Sequence, residues 1–218
     1  MQVPVQHIIA GQHCWLSPQR CIFWEEEKAL ILADLHLGKS GHFRKAGIGI
    51  PQTVFREDMQ RLLHLVQFFK PEKMIVVGDM FHSRANKELD LFSRWRKDIA
   101  WMKIELVRGN HDILHEGWYT KNDITIYQDR LVVGSFCFQH DHVPGETQPG
   151  NAYVFSGHIH PGIVVKGYAK QHLSFPCFHF TDHCCTLPAF SLFTGFVPIK
   201  KQRDHSVFAI VNNTLMAV

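Results

Sequence analysis

Lys103-Ile104-Glu105-Leu106-Val107-Arg108-Gly109-Asn110-His111-Asp112 is the stretch on which the fold turns. A short strand, Lys103 to Val107, stops abruptly at Arg108, and Gly-Asn-His-Asp follows. An ordinary turn asks only for small or turn-forming residues, so an imidazole beside an amide and a carboxylate has little structural reason to stand there. The same arrangement recurs on either side. Residues 29–33 form an apolar run that stops at Asp34-x-His36, and Lys73 to Val77 stops at Gly78-Asp79. Farther on, residues 131–138 stop at His140, and residues 153–155 stop at Gly157-His158-x-His160. In open α/β sheets, functional groups collect beyond the carboxyl ends of the strands. Five such ends predict one shared site.

The segments between these ends set the architecture. Residues 52–69 place Val54, Phe55, Met59, Leu62, Leu63, Val66 and Phe69 at three- and four-residue steps, an amphipathic helix ended by Pro71. Residues 87–100 read as a second helix. Ile124 to Tyr127 and residues 131–138 read as a hairpin. Residues 162–168 and 205–217 read as late strands, the latter turning at Asn212-Asn213. Strands alternate with helices in the first half and dominate the second, which predicts an α/β protein of two packed sheets flanked by helices. A chain of 218 residues suits a single domain spanning residues 1–218. At this length it buries roughly 70% of its unfolded surface, enough for a core without disulfide or metal.

Composition excludes several classes. An apolar share of 45% and a charged share of 20% argue against disorder, collagen and coiled coil. The net charge of +3 neither diagnoses nor excludes nucleic-acid binding. Residues 1–11 lack the basic and apolar regions of a signal peptide. The longest uncharged stretch, residues 183–199, contains Pro188, Gly195 and Pro198 and is shorter than a membrane helix. The expectation is a soluble cytoplasmic protein. Six cysteines, none in a C-x-x-C pair, are expected as free thiols.

Histidine is the outlier, with 16 residues, and it is the commonest metal ligand and proton-transfer side chain. The strand ends offer Asp34, His36, Asp79, Asn110, His140, His158 and His160, with His111 set aside. Carboxylates, imidazoles and an amide oxygen form a mixed N and O set that suits manganese, iron or zinc. The D-x-H and H-x-H spacings have a simple expected cause: in an extended segment, residues i and i+2 point the same way. The glycines at 78, 109 and 157 are expected to let the chain turn tightly on leaving the sheet. Any one of these motifs alone is common in loops; the signal is all five in order.

Those five motifs, from Asp34 to His160, resemble the calcineurin-like metallophosphoesterases. The resemblance implies a four-layer sandwich of two mixed β-sheets flanked by α-helices. It implies one metal on Asp34, His36, Asp79 and His160, and another on Asp79, Asn110, His140 and His158, with Asp79 bridging. His111 matches the family's unliganded catalytic histidine. A narrower likeness covers nearly the whole chain. Residues 32–39 (LADLHLGK), 78–83 (GDMFHS) and 187–190 (LPAF), with Phe193-Thr194-Gly195 after them, are similar to the DNA-ligase-associated phosphoesterase group, PdeM. That group is named for DNA-damage-response endonucleases. Two positions depart from its pattern: Ser191 and Phe196 stand where glycines are expected.

The resemblance implies phosphodiester hydrolysis by in-line attack of a hydroxide bridging two divalent cations, manganese first, with iron or zinc as alternatives. DNA is the expected substrate and DNA-ligase-associated repair proteins the expected partners, with no membrane. Catalytic roles fall to His111, Asp79 and Asn110. Substrate contacts are expected from Lys39, Arg44 and Arg108, the last either a phosphate clamp or a partner of a nearby acid. Asp112 is expected to orient His111, and His82 to support a ligand. The competing readings are a small-molecule phosphodiesterase or monoesterase, and a non-catalytic module of the same fold. Residues 177–185, with Cys177, His179, His183, Cys184 and Cys185, match no common zinc spacing and read as a hydrophobic loop. His205 has no partner pattern, and Trp95, Trp101 and Trp118 read as core.

Overall fold

The computed structural model describes residues 3–39, 53–82, 87–143, 145–146, 148–166 and 172–218. The first sheet runs β1 (Val5–Ile9), β2 (Gln12–Ser17), β3 (Cys21–Trp24), β4 (Ala29–Leu32), β5 (Lys73–Val77), β6 (Lys103–Val107) and β7 (Ile124–Tyr127), side by side in chain order. The first three pairings are antiparallel and the last three parallel. Parallel strands need crossovers, and helices α1 (Thr53–Phe69), α2 (Lys87–Asp98) and α3 (Glu116–Lys121) lie in those connections.

Strands β4 and β5 are almost wholly apolar because both of their faces are covered. Leu30, Leu32, Met74 and Val76 point into a cluster with Leu62, Leu65 and Val66 of α1 and Phe92 of α2. Ala29, Ile31, Ile75 and Val77 point the other way, into a second cluster with Phe136, Phe138, Phe155 and Phe178. That second cluster is the seam between the two sheets.

The second sheet comprises β8 (Leu131–Val133), β9 (Phe136–Phe138), β10 (Tyr153–Ser156), β11 (Pro161–Lys166), β12 (His172–Phe180), β13 (Cys184–Thr186), β14 (Val197–Pro198), β15 (Ser206–Val211) and β16 (Thr214–Ala217). Its order is β14-β11-β12-β13-β10-β9-β8, with β15 pairing β12 and β16 pairing β15. Parallel and antiparallel pairs mix, as expected. Asn212 and Asn213, both at positive φ, turn β15 into β16.

Three expectations need correction. Ile124–Tyr127 does not pair with the strand that follows it; it closes the first sheet beside β6. Residues 131–138 are themselves the hairpin, β8 and β9, turning at Gly134, whose φ is +54°. Residues 177–185 are not a loop: they end β12 and build β13. Trp95 and Trp118 pack on the core, but Trp101 is 59% exposed. All six cysteines are free and buried. Among the described residues, no helix is long and apolar enough to cross a membrane.

Candidate metal centre

The site lies where β4, β5, β6, β9 and β10 end. Asp34 and His36 follow β4, Asp79 follows β5, Asn110 and His111 follow β6, His140 follows β9, and His158 and His160 follow β10. Ligand atoms of Asp34, His36 and His160 all lie within 4.8 Å of one another, and so do those of Asp34, Asp79 and His140. Two groupings that share a carboxylate are therefore assembled from four strand ends. Asn110 joins the second through Oδ1, 3.3 Å from His140 Nε2. The His158 ring stands 5.1 Å from that of His140, and the His158 N–H donates to Asp34 Oδ2.

The convergence is as expected, but its cause is different. Asp34, His36, Asp79, His158 and His160 all have φ between +47° and +65°, in the left-handed region. The D-x-H and H-x-H pairs are not extended segments. Each non-glycine residue held there costs of order 1–3 kcal/mol, and such strain gathers at functional sites. Gly78, at φ +79°, does turn the chain in the left-handed region as expected, and all three glycines also make room for the cluster. A Cβ on Gly78 would stand 1.9 Å from His140 Nδ1, one on Gly109 2.2 Å from Asp79 Oδ1, and one on Gly157 2.7 Å from Asp34 Oδ2. Each leaves room for a carboxylate or imidazole of the cluster.

Hydrogen bonds fix the rings. His140 Nδ1 lies 3.1 Å from Val77 O, and His160 Nδ1 lies 3.3 Å from Gly195 O. A ring nitrogen facing a carbonyl carries the proton, which leaves each Nε2 turned to the cluster. His160 Nε2 is 3.4 Å from both Asp34 Oδ1 and His36 Nε2, and His140 Nε2 is 3.5 Å from Asp79 Oδ2. Asp34 Oδ1 is buried with no hydrogen-bond donor. A buried carboxylate oxygen without a donor, facing two imidazole nitrogens, is costly unless a cation stands there. Ring nitrogens tied back to carbonyls are the usual support for metal-bound histidine. The residues fit divalent ions.

Electrostatics point the same way. Burial works against charge on Asp79, but the His140 hydrogen bond and charge and the His111 N–H hold it down at about 2. Burial likewise opposes charge on His140, yet Asp79 and Asp34 raise it to about 9. Burial, with the Lys39 ammonium nearby, pushes His36 down to about 2. Without metal, the carboxylates thus keep a proton on His140.

The remaining expected residues divide. The His111 N–H donates to Asp79 Oδ1 at 2.8 Å, and its ring centre lies 4.2 Å from that of His82, tilted by 36°, and 5.5 Å from that of His36, edge-on. Lys39 is half-buried, with its charge bearing on His36. Asp112 does not reach the His111 ring. Its oxygens accept the N–H groups of Phe81 and Gly109, tying two strand-end loops together, and burial raises it to about 7. Arg108 is turned to Asp112 O, Gln128 and Glu116, which matches the acid-partner alternative rather than the phosphate clamp. Arg44 lies outside the described residues. His205 has a partner after all, with Nδ1 2.8 Å from His179 Nε2. Residue-type reasoning missed the Val77 and Gly195 carbonyls, because any amino acid supplies one.

A family model, calcineurin-like phosphoesterase, matches residues 27–160, more than half of the chain. No curated protein matches significantly. Among solved structures, the chain is similar to the Pseudomonas putida nuclease MPE, with 28% identity, a TM-score of 0.84, and coverage of 99% of this chain and 100% of that one. It also aligns with Yfce, a phosphoesterase from E. coli, at 14% identity and a TM-score of 0.45, over 87% of this chain and 97% of the other.

Proposed function

The chain belongs to the calcineurin-like phosphoesterase family, and from that premise we propose that it is a two-metal nuclease that hydrolyses phosphodiester bonds in DNA. The observation that carries the reading is the pair of ligand groupings sharing Asp34, with Asp79 beside His140 in the second. Asp34, His36, Asp79 and His160 would hold one cation, and Asp79, Asn110, His140 and His158 the other. Their mixed N and O donors favour manganese, then iron or zinc. When bound, such ions supply Lewis-acid charge and a nucleophile at neutral pH.

The chain's own residues do the rest. Val77 and Gly195 hold the His140 and His160 rings with Nε2 facing inward. Asp79 fixes the His111 backbone, and the His82 ring packs against the His111 imidazole. His111 passes a proton to the leaving ester oxygen, a contribution typically worth 10²–10⁴-fold. The Lys39 ammonium adds positive charge beside the cluster, where a phosphate would sit. The full-length likeness to a nuclease supports cleavage of nucleic acid; DNA as the substrate and DNA-ligase-associated repair proteins as partners rest on the LADLHLGK, GDMFHS and LPAF segments.

The test is side-by-side turnover, with manganese, of single-stranded DNA, nicked DNA and nitrophenyl phosphate esters. The reading expects DNA cleavage that weakens steeply with salt. Turnover of the small esters with no DNA cleavage would replace it with a small-molecule phosphoesterase.

A further inference from the structure

Residues 189–197 run as a strap across the site. The Phe190 and Ser191 N–H groups donate to Ala33 O and Asp34 O, beside the first candidate ligand. At its far end the strap holds His160 twice: Gly195 O takes the ring Nδ1, and the Val197 N–H donates to His160 O. It therefore joins the Asp34 and His160 ends of one ligand grouping.

A charged cluster outside the site anchors this strap. Asp58 and Arg61, one turn apart on α1, form an ion pair at 3.5 Å. Arg61 also donates to Phe190 O, and its guanidinium lies 4.2 Å from the centre of the Phe190 ring. Arg20, in the turn between β2 and β3, donates to Ala189 O and Ser191 O at 3.1 and 2.9 Å. Asp58 accepts from the Leu192 N–H, and Ser191 Oγ accepts from the Phe193 N–H. Asp58 and Ser191 are each only 3% exposed. Burying a carboxylate beside two largely covered guanidiniums is costly before pairing, and an apolar contact would hold α1 at less cost. What an apolar core cannot do is bind four consecutive backbone groups of one segment.

We propose that Asp58, Arg61 and Arg20 are positioning residues for the metal centre, acting through the strap to set Asp34 and His160. The proposal rests on reading the cluster as a metal centre. It also accounts for Ser191, which departs from the group's glycine and supplies a hydroxyl to the strap. The consequence is graded: loosening the strap weakens the ion at Asp34, His36 and His160 most, because both residues the strap holds, Asp34 and His160, belong to that grouping, and only Asp34 belongs to the one with Asp79 and His140.

The experiment is manganese titration calorimetry on the full chain, with ¹⁵N NMR of the His160 ring, for wild type, Arg61→Met and Ser191→Ala. Wild type should bind two ions. Both variants should bind one ion about tenfold or more weakly, as for lost outer partners of ligands, and the other with a smaller loss. In the metal-free variants the His160 Nδ1 signal should leave its hydrogen-bonded position. Should Arg61→Met fail to fold, Ser191→Ala decides alone, since it removes one hydroxyl and no charge. Wild-type affinity for both ions with an unmoved His160 signal in a folded variant overturns the proposal. A wild type that binds no manganese overturns the metal-centre reading itself, and the proposal falls with it.

Discussion

His36 Nε2 and His160 Nε2 face each other at 3.4 Å, with Asp34 Oδ1 at the same distance from His160. Gly195 O holds the His160 proton on Nδ1, so His160 Nε2 faces Asp34 Oδ1 as an acceptor, and that buried oxygen has no hydrogen-bond donor. An imidazole nitrogen and a carboxylate oxygen that both accept repel one another unless something positive lies between them. The arrangement is therefore a receptor for cations, and its chemistry can be tested from several sides.

Metal uptake should release a proton. In the metal-free protein His140 is raised to about 9, so below that pH its Nε2 carries a proton that a metal must displace. Affinity should rise with pH up to about 9 and then level off. Calorimetry at pH 7 in buffers of different ionisation enthalpy should show roughly one proton released from this site. Heats that do not depend on the buffer would contradict the assignment of His140.

Gly78→Ala should damage the site without removing a ligand. The new Cβ would collide with His140 Nδ1, and φ at this residue is +79°. Metal affinity or activity should fall about 10–100-fold as the His140–Val77 bond breaks. Gly11→Ala is the control, because its φ is +77° but its surroundings are open. It should lose about 1–2 kcal/mol of stability and no metal binding. Equal metal binding in the two variants would show that the Gly78 contact is immaterial.

His111→Ala and Asp79→Ala should fail in different ways. The first keeps both groupings of ligand atoms and should bind metal normally while losing about 10²–10⁴-fold in turnover. The second removes the carboxylate beside His140 and should lose metal and turnover together. Full activity in either variant contradicts the role of the residue it replaces.

Acid should loosen the second sheet through His179. Burial, then the charge of His205, lowers its pKa in the folded state. As pH falls through 6.5 the unfolded chain protonates first, so stability present above 6.5 is lost on acidification. His179→Gln should flatten the dependence of Tm on pH between about 7 and 5. An unchanged slope would exclude His179 as a source of that dependence.

The candidate site was legible in the sequence because each strand announces its end by switching from apolar residues to Asp, Asn or His. Strands β4, β5, β6 and β10 and helix α1 were legible for the same reason, since burial on both faces or on one stripe leaves a periodic trace. The β8–β9 hairpin was hidden because Gly134-Ser135 interrupts the apolar run only briefly. β12 was hidden by Pro176, which sits opposite Gly162 in the register, and by the Cys and His residues around it. The left-handed backbone at Asp34, His36, Asp79, His158 and His160 is marked only weakly, since Asp and His enter that region more readily than most residues but do so in few of their occurrences. The carbonyls of Val77 and Gly195 leave no mark in residue type. The LPAF segment was visible as a pattern, but its part in holding Asp34 and His160 depends on backbone groups that only the fold brings together.

Whether these strand ends hold a pair of cations is decided by anomalous scattering from manganese-loaded crystals. Two manganese peaks per chain are expected, one among Asp34, His36 and His160 and one among Asp79, Asn110 and His140. No peak at these residues, in crystals that hold manganese elsewhere, would contradict the two-metal reading.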